Sequence, residues 1–389
     1  MKPFSFARLP LIHFGSGKIA DLPRIVSNYG KSVLLVTGAR SFMDSRRAGR
    51  LFDLFGSNGI AFQHVPVRNE PSPETVDETV EKFRGREIKA VVSIGGGSVI
   101  DAGKAISAML NTPGSIKEYL EVIGTRDHPG TKVPFIAVPT TSGTGSEATK
   151  NAVISRVGKE GFKRSLRHDN LVPDAAVVDP ELTIDCPPDI TAAAGMDCFT
   201  QLTEAYLSTK SNEYTDALAL EGIRATNRSL LRSFTRGEDI NARSDMSFAA
   251  LTSGICLANA GLGAVHGLAG TIGALYNIPH GVVCGTLMSA ANELNVRELR
   301  KRGGDEAALV KYADMGRIFA DATGKNDSYY VDFFLDYLNA LTYRLDLPKL
   351  STYGLGEDDL PVISGQSDVK NNPVRLSAEQ LGEILTRRL

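Results

Sequence analysis

An open α/β domain on a parallel sheet, followed by an all-helical domain, is the fold class predicted for this chain of 389 residues. Three observations predict it. Short continuous apolar runs recur through the first half, each closed by Gly, Pro or Asp. Helical periodicity fills the intervals between them. Beyond Pro187-Pro188 the strand-like runs stop and long helical patterns take over. Apolar runs bounded by turn residues suit strands buried on both faces, and their alternation with helices implies parallel pairing.

Residues 32–36 (SVLLV) are the first clear strand, ended by Thr37-Gly38, and residues 73–83 carry a helical pattern. Residues 90–94 (AVVSI) are a strand that runs into three glycines, followed by a helix over 99–110. Residues 135–138 (FIAV), closed by Pro139, and 175–178 (AAVV), closed by Asp179-Pro180, complete the strand set. The boundary falls at 183–188, which gives an α/β domain over 1–185 and a helical domain over 186–389. Helices are predicted over 192–208, 213–233, 244–260 and 307–322, with Asp189 or Thr191 as the cap of the first. Residues 370–389 read as a loop and a final helix, capped by Ser377 with Gln380 at its third position.

Composition narrows the function classes. Hydrophobic residues make up 42% and charged residues 23%, the balance of a globular chain rather than a disordered one. A net charge of −2 provides no basic field for nucleic acid. No apolar run approaches the roughly 20 residues of a membrane span, and the first residues lack the apolar stretch of a secretory signal. Cys186, Cys198, Cys256 and Cys284 are scattered, with no C-x-x-C pair, which suits buried thiols in a reducing cytoplasm.

Two glycine- and hydroxyl-rich stretches follow predicted strands. Gly95, Gly96, Gly97 and Ser98 open a helix, where unobstructed backbone N–H groups form an anion site, with Asp101 and Lys104 on its first turns. The G-x-G-x-x-G spacing is absent, and a plain strand-to-helix turn is the alternative. Residues 140–147 (TTSGTGSE) follow the strand ending at Val138-Pro139, where ligands bind in open α/β sheets; a surface loop is the alternative there. In the second half, His266 and His280 each precede a glycine, and Asp197 lies in an otherwise apolar helix start, where a buried carboxylate needs a partner.

Taken together these strings resemble the iron-containing (group III) alcohol dehydrogenase family. The pieces are PLIHFGSG, GGGSVIDAGKA at 95–105, VPTTSGTGSE at 138–147, VVDPELT at 177–183, AAGMDCFTQLTEAYLS at 193–208, GAVHGLAG at 263–270, NIPHG at 277–281 and KNNPVR, in family order across the chain. The resemblance implies a dinucleotide-binding α/β domain and a helical metal- and substrate-binding domain, the two-domain plan of dehydroquinate synthase. It implies reversible hydride transfer between a small alcohol and its aldehyde or ketone. Relatives hold iron or zinc through Asp-x-x-x-His and two later histidines. Asp197, His266 and His280 match three of these positions and are the implied catalytic residues; Gln201 stands where the family has the other histidine, and Gly270 where some members carry a relay histidine. Gln201 is therefore the weak fourth metal ligand expected here.

For the cofactor, the resemblance implies the pyrophosphate on the amides of Gly96, Gly97 and Ser98, with Gly95 and Asp101 also among the cofactor-binding residues, the nicotinamide and ribose along Thr140, Thr141 and Thr144, and Lys163 at the ribose. NAD-preferring relatives often place Asp where this chain has Gly38, and Arg40 is close, so NADP is favoured over NAD. Phe199 and Leu257 are expected in a pocket wall, and a small neutral substrate is favoured, although Lys163 and Arg167 would suit a carboxylate. A cytoplasmic homodimer paired through the N-terminal segment, with no nucleic-acid or membrane partner, completes the expectation. The alternatives are a metal-free reductase similar to maleylacetate reductase, a nucleotide-binding protein with weakened catalysis, and a lyase of the dehydroquinate synthase type.

Overall fold

The structure, a computed structural model, describes residues 3–303 and 307–389. The chain divides into two units, Ala7–Arg156 with Gly161–Cys186, and Pro187–Leu389 with Val157–Glu160 and the first residues up to Phe6. The two short outliers depart from a division at residue 185, and each has a local reason. Phe4 and Phe6 pack their rings on Tyr214, with centroids 5.4 and 6.0 Å apart, and the Gly158 N–H donates to the Ala274 carbonyl at 3.1 Å.

The α/β unit contains strands β1 (Leu11–Phe14), β2 (Ser32–Gly38), β3 (Ala61–Val67), β4 (Ala90–Gly95), β5 (Phe135–Pro139), β6 (Asn151–Arg156), β7 (Phe162–Arg167) and β8 (Ala175–Val178). Its helices are α1 (Leu22–Ser27), α2 (Arg46–Ser57), α3 (Pro73–Phe83) and α4 (Gly97–Met109). Six strands form a parallel sheet in the order β1-β8-β5-β4-β2-β3, and β6 and β7 form a separate antiparallel hairpin. Alternate residues of the central strands feed two apolar layers. Leu34, Val91 and Phe135 face Ile100 and Ile106, while Val33, Val92 and Ile136 share the other layer with Leu51 and Phe55. Burial on both faces is why these strands read as unbroken apolar runs.

The predicted strands at 32–36, 90–94, 135–138 and 175–178 all lie within sheet strands. The sequence reading missed β1 and β3, the two edges of the sheet, and the hairpin. Edge strands are buried on fewer sides and tolerate breakers: β3 alternates in burial and contains Pro66.

The helical unit contains α5 (Pro188–Leu207), α6 (Glu213–Thr235), α7 (Ile240–Ala260), α8 (Ala264–Leu275), α9 (His280–Arg302), α10 (Ala307–Phe319), α11 (Asp327–Arg344), α12 (Leu360–Gln366) and α13 (Ala378–Thr386). Almost every residue of α5 from Thr191 onward is buried, so it forms the centre of this unit. Neither Asp189 nor Thr191 caps it. The cap position is Pro187, without a side-chain bond, and the Thr191 hydroxyl accepts from Arg243 Nη1 at 2.9 Å. The capping box predicted for the last helix is present between Ser377 and Gln380. Among the described residues no single helix is long and apolar enough to cross a membrane.

Candidate functional site

In the helical unit, three elements bring the distant site residues together. On α5, Asp197, Gln201 and Glu204 follow an i, i+4, i+7 spacing and share one face. Helix α9 packs on α5 through its glycines. A Cβ at Gly281 would meet the Ala193 carbonyl oxygen at 2.3 Å, and one at Gly285 would meet Met196 Cβ at 2.7 Å. This close approach delivers the side chains one residue before each glycine, His280 and Cys284, to Asp197. Helix α8 begins at Ala264, so His266 lies in its first turn.

The result is a cluster of Asp197, His266, His280 and Cys284 whose ligating atoms all lie within 4.8 Å of one another. Asp197 Oδ1 is 3.2 Å from His266 Nε2 and 3.7 Å from His280 Nε2. Cys284 Sγ is 3.6 Å from His266 Nε2 and 3.7 Å from His280 Nε2. His266 Nδ1–H donates to Glu204 Oε2 at 2.7 Å, which leaves Nε2 for the cluster. The other oxygen of Glu204 accepts the Val265 N–H at 2.7 Å, and Asn372 Oδ1 accepts the Ala264 N–H at 3.2 Å, so the two side chains cap α8. Gly263 is required at that cap, since a Cβ would stand 2.7 Å from Asn372 Oδ1 and 3.0 Å from Glu204 Oε1.

Burial penalises the Asp197 carboxylate, but the neighbouring His280 and His266 outweigh that penalty and hold its pKa below the usual range. Burial pushes the Cys284 thiol up to about 12. Burial likewise disfavours the His266 imidazolium, yet its pKa is held well above the usual 6.5. Cys284, Asp197 and Glu204, which face the ring, are what raise it.

Gln201, the expected fourth ligand, is placed differently. Its Oε1 accepts from Ser253 Oγ at 2.9 Å, and its Nε2 points at Asp197 Oδ1 at 3.5 Å. An amide nitrogen has no lone pair for a metal, and in this arrangement it is the nitrogen that faces the carboxylate. Phe199 is also misplaced by the sequence reading. It is fully buried against Phe319 and Phe334, with centroids 5.4 and 6.3 Å away, because its place on α5 turns it into the core rather than a pocket. Leu257 is half-buried near the end of α7.

The α/β unit gathers the other set. Gly38, Gly95 and Thr140 stand together at the C-terminal ends of adjacent strands, where Thr37 pairs with Ile94 and Gly95 with Pro139. Helix α4 starts at Gly97 with Gly96 as its cap and no side-chain capping bond, so the first amides have no side chain on them. The two polar loops meet here. A Cβ at Gly96 would stand 3.4 Å from Thr141 Oγ1, and one at Gly97 2.7 Å from the Thr144 side chain. Ser98 Oγ donates to Glu70 Oε1 at 2.8 Å, and Lys163 Nζ lies 3.7 Å from Glu70 Oε2, so Glu70 ties Lys163 to the glycine turn. Arg40 is exposed just beyond β2.

Asp101 is buried, and its Oδ2 accepts the Val153 N–H of β6 at 3.1 Å, so it braces the hairpin. Arg167 is engaged by Glu121 at 2.6 Å rather than presented to a substrate carboxylate.

Cys284, Glu204, Ser253 and Asn372 were not singled out from sequence. Two signals were present. Cys284 is i+4 from His280, and Glu204 is i+7 from Asp197; both spacings mark one helix face.

Comparison with known proteins places both units. Residues 10–180 match the family described as iron-containing alcohol dehydrogenase, and residues 191–389 match the C-terminal domain of the Fe-containing alcohol dehydrogenase family. The chain is 35% identical to alcohol dehydrogenase 4 of Saccharomyces cerevisiae (strain YJM789), over 97% of this chain and 96% of that protein. It is 30% identical to an NADPH-dependent butanol dehydrogenase of Clostridium saccharobutylicum, over 96% and 95%. A crystal structure of 1,3-propanediol oxidoreductase superposes with a TM-score of 0.90 at 27% identity, covering 100% of both chains.

Proposed function

The chain belongs to the iron-containing alcohol dehydrogenase family, and from that premise we propose that it interconverts a small neutral alcohol and its aldehyde with NADP(H) at a divalent-metal centre. One observation carries the reading: Asp197 Oδ1, His266 Nε2 and His280 Nε2 converge in one largely buried cluster on the strings that match the family. A carboxylate oxygen and two imidazole nitrogens, one of them oriented from behind by Glu204, are a donor set that fits Fe(II) or Zn(II). A bound divalent cation supplies Lewis acidity that lowers the pKa of an alcohol hydroxyl. The nicotinamide carries the hydride chemistry.

The protein's part is binding and orientation. The amides of Gly97 and Ser98 at the start of α4 offer the pyrophosphate a helix N-terminus. Thr140, Thr141 and Thr144 line the cofactor side of that turn, and Lys163 serves the ribose. Glu204 keeps the His266 proton on Nδ1, so that Nε2 presents its lone pair. The exposed edge of β1, with Leu11 at 64%, supports a homodimer paired through the N-terminal segment.

The deciding assay is NADPH oxidation with a short aliphatic aldehyde, measured before chelation, after chelation, and after refilling with Fe(II) or Zn(II). Loss and recovery of rate are expected. A rate indifferent to chelation would move the assignment to a metal-free reductase.

Cofactor choice has its own test at Gly38. This glycine has no positive φ, and a Cβ there would meet nothing nearer than Ser41 Oγ at 3.7 Å. A Cβ is therefore accommodated there without strain. Gly38→Asp would set a carboxylate where a 2′-phosphate is expected, and like charges held together cost several kcal/mol. We expect kcat/KM with NADPH to fall by about tenfold or more, with NADH becoming the better cofactor. An unchanged NADPH/NADH ratio would remove Gly38 from cofactor recognition. The butanol dehydrogenase relative, named as NADPH-dependent, supports the expected direction.

A further inference from the structure

We propose that Cys284 is a fourth ligand of the metal, so that the centre is an Asp-His-His-Cys set in which Gln201 orients the carboxylate. The inference rests on the metal-dependent reading above and assigns a role to a residue outside the matched ligand positions.

The separations carry it. A tetrahedral ion with bonds of about 2.0–2.1 Å to oxygen and nitrogen and about 2.3 Å to sulfur has edges of about 3.3 Å between the light donors and about 3.6 Å to the sulfur. The edges found are 3.2 Å for Asp197–His266 and 3.7 Å for Asp197–His280. Those to Cys284 are 3.6 Å from His266 and 3.7 Å from His280. Four of the six edges thus match a single tetrahedral ion, and all four atoms lie within 4.8 Å of one another.

The surroundings of the thiol point the same way. Cys284 is fully buried, yet two imidazoles and a carboxylate face it. Cys256, by contrast, is buried with its Sγ on the Thr215 carbonyl at 3.7 Å, an ordinary structural thiol. The backbone reason is the glycine contact of α9 with α5, which sets residues 280 and 284 on the same inward stripe. Gln201 meanwhile has its carbonyl oxygen engaged by Ser253. The imidazole that this chain lacks on α5 is thus replaced by sulfur from α9.

The chemistry balances simply. As the sulfur–metal bond forms, the Cys284 S–H bond breaks and the proton passes to solvent, with no change of oxidation state. A thiolate is a softer donor than imidazole and shifts the preference of the centre toward Zn(II).

The test uses the full chain, stripped with a chelator and loaded with Co(II). The expected signature is sulfur-to-cobalt charge-transfer absorption in the near ultraviolet, accompanied by strong tetrahedral d–d bands. Cys284→Ser should still bind Co(II) but lose the near-ultraviolet band, and its Co(II) and Zn(II) affinity should fall by about 10–100-fold or more. Gln201→Ala should keep the band. Cys284→Ala, read against NADPH binding as a fold control, keeps the result decisive where serine disturbs the buried site. Bound cobalt without the band, unchanged affinity in both Cys284 variants, or no cobalt binding at all would each overturn the proposal. A band present in a chain that reduces no aldehyde would leave Cys284 in place and strike the proposed function instead.

Discussion

Asp197→Asn is expected to strip the centre of metal and lower kcat/KM with an aldehyde by about a thousandfold, roughly 4 kcal/mol of lost transition-state stabilisation. The substitution is close to isosteric, so α5 keeps its packing. What changes is charge. Asp197 is 1% exposed and its Oδ1 faces both imidazoles, so it is the anion that offsets a cation there. A neutral amide leaves His266 and His280 as the nitrogen ligands with no carboxylate between them. Metal content by elemental analysis and steady-state rates, before and after refilling, check the prediction. NADPH binding should survive, since the residues proposed for the cofactor belong to the other unit. Full metal content with a rate within threefold of the parent would remove Asp197 from the ligand set.

Lys104→Met is expected to be the most damaging change to stability, at about 3–5 kcal/mol. Lys104 is fully buried on α4, and its ammonium donates to the carbonyls of Ser146, Thr149 and Asn151 at 2.8, 2.8 and 2.9 Å and to Thr149 Oγ1 at 3.0 Å. Burial lowers its pKa to about 8, against the pull of Asp101 and Glu147. Methionine fills the space but bares those oxygens and leaves two buried carboxyls without their cation. The apparent Tm should fall by roughly 6–15 °C; a fall under 2 °C would contradict this.

The pH dependence has a definite sign. Burial raises the Glu147 pKa to about 7 and the Asp101 pKa to about 6, whereas both are ionised above the ordinary carboxyl range in the unfolded chain. Folded carboxyls that hold protons the unfolded chain has released cost stability as pH rises through that window. Removing Lys104 raises both pKa values further, so the Tm gap between parent and variant should be wider at pH 8 than at pH 5.

These two residues also mark how far sequence reasoning reached. Asp197 stood out because a carboxylate inside an apolar helix needs a partner, and the family strings supplied His266 and His280 as its companions. Lys104 was visible only as a neighbour of the glycine turn; nothing local indicates that its ammonium closes a loop 42 residues away. Asp101 was read as a cofactor contact on the same local grounds, and its partner is the Val153 amide 52 residues on. The edge strands β1 and β3 escaped because they lack the double-sided burial that made β2, β4 and β5 legible. Phe199 was placed in a pocket because chain position alone does not say which face of a wholly buried helix meets a neighbour.

The two-part architecture, the glycine turn after β4, the family, and three of the four residues that converge in the buried cluster are legible in the chain alone. These are properties of runs, spacings and strings a few residues long, where local sterics and burial periodicity dominate. That Cys284 joins the cluster, and that Glu204 and Asn372 cap α8 behind His266, emerges only from the packing. The physical reason is distance along the chain. Asp197 and His266 meet across 69 residues, and what brings them within reach is the glycine-mediated approach of α9 to α5 together with the capped start of α8.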